Sequence, residues 1–348
     1  MSPVKNGRVI YNEIPTGYPV PGKTLVYDES QTIDLENEPL NGGILVRVVV
    51  LSIDPYLRRK MLDPSIPSFL PAFKVGEPLE NSGVATVLRS EHPNYKPGDH
   101  VLASFPFSLP FQEYLVIPDP QMRILENKEN LSWSAYLGVC GMPGQTAHHA
   151  WKEYAGPKIK KGDVVFVTAA SGAVGAIVAQ LAKADGLKVI ASAGSDDKVD
   201  YVRSLGVDVA FNYKKVSTRE VLQKEGPINF YWDNVGGESL EAALEFAAQK
   251  AVFIICGMIS SYNTDEPYNV KNLQQLVWRE ITFNGFLVAS LLPKYDDEFY
   301  ATIPGRVARG EVKYKEHLVK GLENTGQALL DVLSGNNFGK SVIVVSEE

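Results

Sequence analysis

The feature that most constrains the fold of this chain lies in residues 164–184, where a strand pattern runs into a glycine-containing turn and then a helix pattern. Val164–Thr168 is an apolar, mostly β-branched run, and Ala176–Ala184 has helical periodicity. Residues 169–175 between them read Ala-Ala-Ser-Gly-Ala-Val-Gly. The stretch is apolar enough to resemble a membrane span, but its glycines and polar residues favour a strand, a turn and a helix. It predicts the first unit of a parallel α/β sheet that binds a dinucleotide.

The residues of the turn have different expected roles in binding a pyrophosphate. Gly172 would let the backbone approach the phosphates, and Gly175 would let the helix pack tightly on the strand. Ala173 and Val174 lie between these glycines, where the positive helix N-terminus faces the phosphates. The match to G-x-G-x-x-G is incomplete, because Ala170 occupies the place of the first glycine. A tight helix–strand contact without a ligand is the alternative interpretation, and the position at the start of an αβ series favours the cofactor.

Further strand and helix patterns follow the turn in regular alternation. Fully apolar strands that alternate with helices predict a parallel sheet covered on both faces, that is, a Rossmann-type doubly wound fold. The predicted strands are Lys188–Ala193, Val207–Asn212, Ile228–Trp232 and Ala251–Ile255, and the predicted helices are Asp196–Ser204 and Glu238–Lys250.

The two ends of the chain have a different texture, rich in short strands and prolines. Ile44–Val50, Gly83–Leu88 and His100–Ala103 are the strand candidates of the first third. The last segment contains an amphipathic helix, Thr325–Leu333, and a short strand, Ser341–Val345. Because one terminal strand cannot be stable alone, we expect this segment to return to the first domain.

The end of the second αβ strand indicates which nicotinamide cofactor is bound. An NAD enzyme places a carboxylate there to hold the ribose hydroxyl, but this strand ends in Ala-Gly194-Ser. Lys198 follows one turn into the next helix and Tyr213 follows the third strand, and a cation with a hydroxyl suits a 2′-phosphate. Asp196 and Asp197 are expected to serve the helix N-terminus from its outer face. A solvated surface lysine is the alternative for Lys198, and NADP is the predicted cofactor.

Charge and cysteine content exclude several classes of partner. The 348 residues contain 34 Lys and Arg against 41 Asp and Glu, a net charge of −7. Nucleic acid and anionic membranes are therefore not expected partners. The two cysteines, Cys140 and Cys256, cannot build a disulfide framework, and they are expected to be buried thiols in a reducing compartment. With no signal-peptide pattern, the protein is expected to be cytoplasmic.

No metal site is expected. Zinc alcohol dehydrogenases of this layout carry a Gly-His-Glu segment, but the corresponding place here reads Gly76-Glu77-Pro78. His148 and His149 are adjacent on a predicted helix, point to different faces, and are interpreted as packing or surface residues. Without a Lewis acid, hydride transfer to a conjugated carbon is easier than carbonyl reduction, because a hydrogen-bond donor can stabilise the enolate.

Several segments, in order along nearly the whole chain, resemble the zinc-independent medium-chain dehydrogenase/reductases of the prostaglandin and alkenal double-bond reductase type. The resemblance implies a GroES-like catalytic domain formed by residues 1–135 and 305–348, with the NADP-binding domain, residues 136–304, inserted between them. The segments that carry it are Ser52–Arg58, Gly141–Thr146, Ala169–Gly175, Gly194–Lys198, Phe211–Tyr213, Asp233–Gly237, Cys256–Asn263 and Gly335–Lys340.

The resemblance also implies a role for individual residues. Position by position, Gly172–Gly175 would hold the pyrophosphate and Lys198 with Tyr213 the 2′-phosphate. Pro55 and Tyr56 would bring the catalytic domain onto the nicotinamide and the substrate. The remaining implied cofactor contacts are Asn234, Cys256 and Asn337 in the groove and Phe286, Leu287 and Val288 along the nicotinamide.

Tyr262 is the predicted catalytic residue, because the resemblance implies that it lies beside the nicotinamide and the substrate. Its phenol would donate a hydrogen bond to the developing enolate oxygen. Two residues depart from the family pattern near the expected substrate entrance: Gln145 replaces an aliphatic residue and His148 an aromatic one. They put the substrate preference, rather than the reaction, in question.

The predicted function is NADPH-dependent reduction of the C=C bond of small apolar α,β-unsaturated aldehydes or ketones, in a homodimer. A quinone or carbonyl reductase on the same scaffold is the first alternative, because a fold does not fix its substrate. An NADPH-binding sensor without turnover is the second. A saturated carbonyl product distinguishes the predicted reaction from that of a quinone or carbonyl reductase, which forms an alcohol or a hydroquinone, and a sensor would bind NADPH tightly without oxidising it with any enone.

Overall fold

The computed structural model describes residues 3–68 and 70–347. The chain divides into two compact units. The first comprises the described residues up to Leu137 and those from Glu316 onwards, and the second comprises residues 138–315.

Short strands dominate the first segment, as its prolines and turn residues predict. The predicted strand Ile44–Val50 extends to Ser52, and the helix α1 has only four residues. The elements are β1 (Val4–Lys5), β2 (Arg8–Tyr11), β3 (Leu25–Asp28), β4 (Thr32–Ile33), β5 (Ile44–Ser52), α1 (Leu57–Lys60), β6 (Glu80–Asn81), β7 (Gly83–Ser90), β8 (His100–Ala103), β9 (Leu109–Pro110), β10 (Tyr114–Ile117) and β11 (Arg123–Ile124).

The second unit is the predicted alternation of strands and helices. The elements are α2 (Met142–Ala150), β12 (Val164–Val167), α3 (Gly175–Ala184), β13 (Lys188–Ala193), α4 (Asp196–Ser204), β14 (Val209–Asn212), α5 (Thr218–Glu225), β15 (Ile228–Asp233), α6 (Gly237–Glu245), β16 (Ala247–Ile255), α7 (Gln275–Trp278), β17 (Thr282–Gly285) and α8 (Leu292–Ala308).

These six strands form one parallel sheet in the order β14-β13-β12-β15-β16-β17. In order of appearance this is 3-2-1-4-5-6, the doubly wound dinucleotide-binding order. Its core contains fully buried aromatic residues from three neighbouring strands, Phe166, Tyr231 and Phe253. The stretch that could have been mistaken for a membrane span is β12, the turn and α3, and no helix among the described residues is long and apolar enough to cross a bilayer.

One predicted element of this unit is wrong at its end. The helix predicted over Glu238–Lys250 ends at Glu245, and β16 begins two residues later at Ala247. The reason is a tertiary contact. The alanines of this segment favour a helix, but Ala247 pairs with Ile228 of β15, and this strand pairing outweighs the local preference. The predicted domain boundary at residue 304 falls inside α8, which belongs wholly to the second unit.

The last segment returns to the first unit, as expected. It contains β18 (Glu316–Lys320), α9 (Thr325–Ser334) and β19 (Lys340–Val344). The strand β19 pairs antiparallel with β5 and parallel with β18, in a sheet ordered β11-β8-β7-β5-β19-β18 with β10 also on β5. Leu329 of α9 shares a core with Val46 and Ile343 of this sheet. The predicted fold class, a doubly wound domain with a β-rich GroES-like domain, is confirmed.

Candidate active site

The second-unit residues predicted to bind the cofactor or act in catalysis all follow the carboxyl ends of strands in the parallel sheet. The first strand β12 and the fourth strand β15 are neighbours, which makes their boundary the point where the winding reverses and where such sheets bind ligands. The residues are Gly172, Ala173, Val174 and Gly175 after β12, Gly194 and Lys198 after β13, Tyr213 after β14, Asn234 after β15, Cys256 and Tyr262 after β16, and Phe286, Leu287 and Val288 after β17.

The turn after β12 owes its shape to close backbone contacts. Ala169 has a positive φ of 50°, and its carbonyl oxygen accepts the Gly172 N–H at 3.0 Å. A Cβ on Gly175 would lie 2.5 Å from that oxygen and 2.9 Å from the Ala170 Cα, so the helix can approach the turn only at a glycine. Ala170 itself is buried and donates its N–H to Ser192, a backbone conformation open to alanine.

This turn provides donors for an anion at the start of α3. Within residues 3–68 and 70–347, the backbone N–H groups of Ala173 and Val174 donate no hydrogen bond to the protein. Both residues are only partly buried. Unpaired N–H groups at the N-terminus of a ten-residue helix suit a phosphate oxygen, so this part of the chain fits a dinucleotide pyrophosphate.

Lys198, Tyr213 and a second lysine converge beside Gly194. The last residues of β13 and β14, Ala193 and Asn212, are paired, which brings the following residues together. A Cβ on Gly194 would lie 3.4 Å from the Tyr213 hydroxyl oxygen and 3.6 Å from the Cε of Lys214. Lys214 was missed from the sequence, where it reads as one of two consecutive surface lysines.

The electrostatics of this cluster favour a phosphate. Lys198 is 8% exposed, and burial lowers the pKa of its ammonium group, while the Lys214 charge acts in the same direction and Asp197 opposes it. The nearby acids have other partners: Asp196 accepts from Asn212 at 2.9 Å and from Lys215 at 2.5 Å, and Asp197 accepts from the Ser195 hydroxyl. Two lysine ammonium groups near each other repel, and a doubly charged 2′-phosphate bound between them would relieve this repulsion.

Asn234 ties together the ends of β12 and β15. Its Nδ2 donates to the Thr168 carbonyl at 2.7 Å, its backbone N–H donates to the Thr168 hydroxyl at 2.9 Å, and its Oδ1 accepts from the Trp232 indole at 3.1 Å. The side-chain amide is thus held in one orientation at the reversal point of the sheet. Its predicted contact with the cofactor stays a prediction.

Cys256 follows β16 beside a buried carboxylate. Its backbone N–H donates to the Asp233 carbonyl at 2.9 Å, and burial, with the Asp233 charge, raises the pKa of its thiol to about 12. The side chain is therefore a neutral thiol at physiological pH, unsuited to act as a nucleophile. The expectation of two buried thiols holds for Cys140, whereas Cys256 is only half-buried by surface area.

Tyr262 lies in the connection that follows β16, and its catalytic role stays a prediction. It directly follows the short 3-10 turn Ile259–Ser261, and its backbone N–H donates to Ile259 at 3.2 Å. A Cβ on Gly257 would lie 3.3 Å from the Tyr262 hydroxyl oxygen and 3.7 Å from the Asn234 carbonyl oxygen. The phenol is thus brought beside the connections that follow β15 and β16.

The segment after β17 is held by aromatic contacts. The Phe286 ring lies 6.0 Å from the Trp232 ring and 5.8 Å from the Tyr154 ring, centroid to centroid. Leu287 is 45% exposed, and Val288 begins a short 3-10 turn. The contact of this segment with a nicotinamide carboxamide stays a prediction.

The remaining predicted residues belong to the first unit. Tyr56 precedes α1, next to Pro55, and its hydroxyl donates to the Oδ1 of Asn81. Asn337 follows α9, and its Nδ2 donates to the Gly339 carbonyl at 2.8 Å. That these residues complete the site of the second unit stays a prediction.

Both departures from the family pattern, Gln145 and His148, lie on α2 and contact α8, but only Gln145 makes a polar contact with it. Gln145 donates to the Oδ1 of Asp296 at 2.6 Å, and His149, whose Nε2 lies 3.2 Å from the same oxygen, is 0% exposed. His148 is packed against Phe299 and lines a cavity of about 70 Å³ that contains none of the predicted site residues. His149 therefore packs in the interior, whereas His148 is partly buried, and the described residues contain no cluster of three potential metal ligands.

Comparison with known proteins identifies the family of the chain. Residues 173–304 match the family described as zinc-binding dehydrogenase, and residues 8–125 match the family described as the N-terminal domain of oxidoreductase. The chain is 39% identical over 313 residues to the (+)-pulegone reductase of Mentha piperita, covering 88% of this chain and 89% of that protein. It is 37% identical over 349 residues to the NADP⁺-dependent 2-alkenal reductase of Nicotiana tabacum, covering 99% of each.

A solved structure extends the similarity to the fold of the whole chain. CurA from Vibrio vulnificus, crystallised in complex with NADPH, has a TM-score of 0.88 at 31% identity, covering 98% of this chain and 100% of that one. The similarity covers residues of both units. This chain therefore belongs to the zinc-independent medium-chain dehydrogenase/reductases of the prostaglandin and alkenal double-bond reductase type.

Proposed function

We propose that this protein reduces the carbon–carbon double bond of α,β-unsaturated aldehydes and ketones. As a member of its family it is an NADPH-dependent oxidoreductase, like the relatives that are described as NADP-dependent or crystallised with NADPH. The proposal concerns the bond that is reduced and the class of substrate. The main support for this proposal is the position of the Tyr262 hydroxyl beside the connections that follow β15 and β16. Further support comes from relatives named as a pulegone reductase and a 2-alkenal reductase.

The chain provides separate contacts for the two phosphate groups of the cofactor, the pyrophosphate and the 2′-phosphate. NADPH, when bound, supplies the hydride for the β-carbon of the substrate. The N–H groups of Ala173 and Val174 would hold its pyrophosphate. Lys198 and Lys214 would bind the 2′-phosphate, with the Tyr213 hydroxyl as a further donor. Because these contacts follow different strands of the sheet, β12 for the pyrophosphate and β13 and β14 for the 2′-phosphate, they would orient the dinucleotide along the sheet edge.

Tyr262 would stabilise the charge that the reaction creates on the substrate. When the β-carbon gains a hydride, negative charge moves to the carbonyl oxygen, and a positioned phenol O–H can donate a hydrogen bond to it. Such a donor lowers the barrier by roughly 3–4 kcal/mol. The α-carbon then takes a proton from solvent. Tyr56 and Pro55 would contribute the first unit's side of the substrate site.

We further propose that the protein forms a homodimer through the edge of the parallel sheet. Among residues 3–68 and 70–347, β17 pairs with β16 on one side and has no strand on the other, which leaves backbone groups for a further strand. Two residues of the preceding helix α7, Val277 and Trp278, are 78% and 66% exposed. Pairing with the same edge of a second copy would continue the sheet and cover these side chains. The mass of the protein in solution, measured by light scattering, tests this.

The reaction is tested by NADPH oxidation with a simple alkenal and a phenyl-substituted enone, with NADH in parallel and products identified by mass spectrometry. A saturated aldehyde or ketone, formed faster with NADPH, supports the proposal. An allylic alcohol, or turnover of quinones alone, would indicate a carbonyl or quinone reductase. Tight NADPH binding without any turnover would indicate a sensor.

A further inference from the structure

The carboxylate of Asp233 holds the turn at the end of β15, residues 233–236, which we call the β15 turn. Asp233 is 0% exposed, and its Oδ1 accepts the backbone N–H groups of Val235 at 2.9 Å and Gly236 at 2.7 Å. The Tyr231 hydroxyl donates to the same oxygen at 2.9 Å. Because a buried donor without a partner costs free energy, these three bonds fix the path of the turn.

The backbone of the β15 turn bonds the segment that leads to Tyr262, residues 256–262, which we call the Tyr262 loop. The Asp233 carbonyl oxygen accepts the N–H groups of Cys256 at 2.9 Å and Gly257 at 3.0 Å. The Tyr262 hydroxyl lies against Gly257, since a Cβ there would be 3.3 Å from the hydroxyl oxygen. One bond between the turn and the loop is therefore made by the residue that the phenol contacts.

The second half of the Tyr262 loop is bonded to the turn through Ser260. The Val235 carbonyl oxygen accepts the Ser260 N–H at 3.2 Å and the Ser260 hydroxyl at 2.6 Å. Gly236 has a positive φ of 72°, and a Cβ on it would lie 3.0 Å from the Met258 Cγ, so the turn packs closely on the loop at a position that requires glycine. The shape of the β15 turn thus determines where the loop lies.

We propose that Asp233 is a positioning residue: its carboxylate fixes the β15 turn, and the turn holds the Tyr262 hydroxyl where it donates to the enolate oxygen. The inference rests on the proposed function, which assigns that donation to Tyr262. Because the Asp233 side chain is fully buried, it acts on the substrate only through the loop. A displacement of a catalytic group by about 1 Å costs about 100-fold in rate, so loosening the turn should lower kcat.

Loosening the turn should affect the chemical step more than the binding of NADPH. The predicted cofactor contact within the turn, Asn234, is also held by Thr168, through its backbone N–H at 2.9 Å and its side-chain amide at 2.7 Å. The predicted contacts with the pyrophosphate and the 2′-phosphate follow other strands, β12, β13 and β14. We therefore expect the Kd for NADPH of Asp233→Ala to stay within about threefold of the wild-type value.

A double-mutant cycle with Tyr262→Phe separates positioning from a general effect on the fold. Asp233→Ala should lower kcat for a phenyl-substituted enone by roughly 10- to 100-fold in the wild type. In Tyr262→Phe, where no hydroxyl is left to position, the same change should lower kcat by less than about threefold. Asp233→Asn should restore kcat to within about threefold of the wild type, because all three side-chain bonds reach one oxygen and an amide oxygen can accept them.

Ser260→Ala tests the same connection without changing the buried carboxylate. Ser260 is exposed, and the variant loses only the hydroxyl bond to Val235. Its kcat should fall by about two- to tenfold, the range of one neutral hydrogen bond, and again only while the Tyr262 hydroxyl is present. The matched control is Ser204→Ala, an exposed serine at the end of α4 whose hydroxyl donates to the Tyr201 carbonyl at 2.6 Å. It should keep the wild-type kcat.

The outcomes distinguish this inference from the proposed function. Thermal unfolding establishes which variants are folded, and if Asp233→Ala does not fold, the cycle of Ser260→Ala with Tyr262→Phe decides. Equal losses of kcat in both backgrounds, a wild-type kcat in the folded variant, or a loss of NADPH affinity as large as the loss of kcat overturns the inference while the enone reductase activity stands. If the wild type reduces no enone, the proposed function fails and the inference falls with it.

Discussion

Replacing Lys198 with methionine tests the basis of cofactor choice. Methionine keeps the length of a side chain that is 8% exposed, so the change removes the charge with little loss of packing. A hydrogen bond to a charged group contributes about 1.5–3 kcal/mol, and the low exposure of Lys198 limits screening by salt. We therefore expect NADPH to bind about 10- to 150-fold more weakly. NADH lacks the 2′-phosphate, so its binding should change less than about twofold.

The neighbouring lysines make this experiment specific. Lys215→Met is the matched control, because the Lys215 ammonium is already bonded to Asp196 at 2.5 Å, and it should leave NADPH affinity nearly unchanged. Lys214→Met should weaken NADPH binding in the same direction as Lys198→Met. The affinities are measured by fluorescence titration of NADPH and NADH. Equal losses for both cofactors in Lys198→Met, or a loss in Lys215→Met as large, would refute the assignment of the phosphate site.

Three further predictions concern the turn, the thiol and a partly buried histidine. Gly175→Ala should lower the free energy of unfolding by about 1–3 kcal/mol and abolish tight NADPH binding, because the added Cβ would lie 2.5 Å from the Ala169 carbonyl oxygen. The control is Gly156→Ala, whose added Cβ would meet only one atom, at 3.8 Å. Thermal unfolding of both variants measures the difference in stability. Cys256 should resist iodoacetamide at pH 8 in the native protein, since a pKa of about 12 leaves roughly one thiolate in ten thousand; rapid labelling followed by mass spectrometry would contradict it. Burial lowers the pKa of His148 to about 4, below its value of 6.5 in the unfolded chain, so acidification from pH 6.5 to about 4 should favour unfolding. In His148→Phe, the melting temperature should depend less on pH over this range. An unchanged dependence would refute the pKa shift.

The parallel sheet could be predicted from the sequence because local pattern and tertiary environment agree there. Lys188–Ala193 and Asp196–Ser204 have the predicted bounds, since an apolar run bounded by glycine and a helix with an N-cap serine leave little ambiguity. The incomplete glycine motif is also explained. Ala169 adopts the positive φ one position earlier, and Ala170 needs none, so the turn forms without the first glycine.

Features that depend on distant pairing could not be predicted. The residues around Ala247 suit a helix as well as a strand, and only the ladder with β15 decides between them. Lys214 is identified by its approach to Gly194, which requires β13 and β14 to be paired. The buried ion pair in which the Lys340 Nζ donates to the Asp54 Oδ1 at 2.7 Å joins residues far apart in the sequence. In each case the signal lies in a spatial contact that no local pattern contains.

Following the transferred hydrogen tests most directly whether this protein reduces a carbon–carbon double bond. NADPH deuterated at C4, prepared with either stereochemistry, is incubated with the enzyme and a phenyl-substituted enone, and the product is analysed by NMR and mass spectrometry. We expect a saturated ketone with deuterium at the β-carbon from one of the two deuterated cofactors. We also expect the turnover number of Tyr262→Phe to be about 100-fold or more below that of the wild type. Deuterium on the former carbonyl carbon, with the double bond intact, would contradict it.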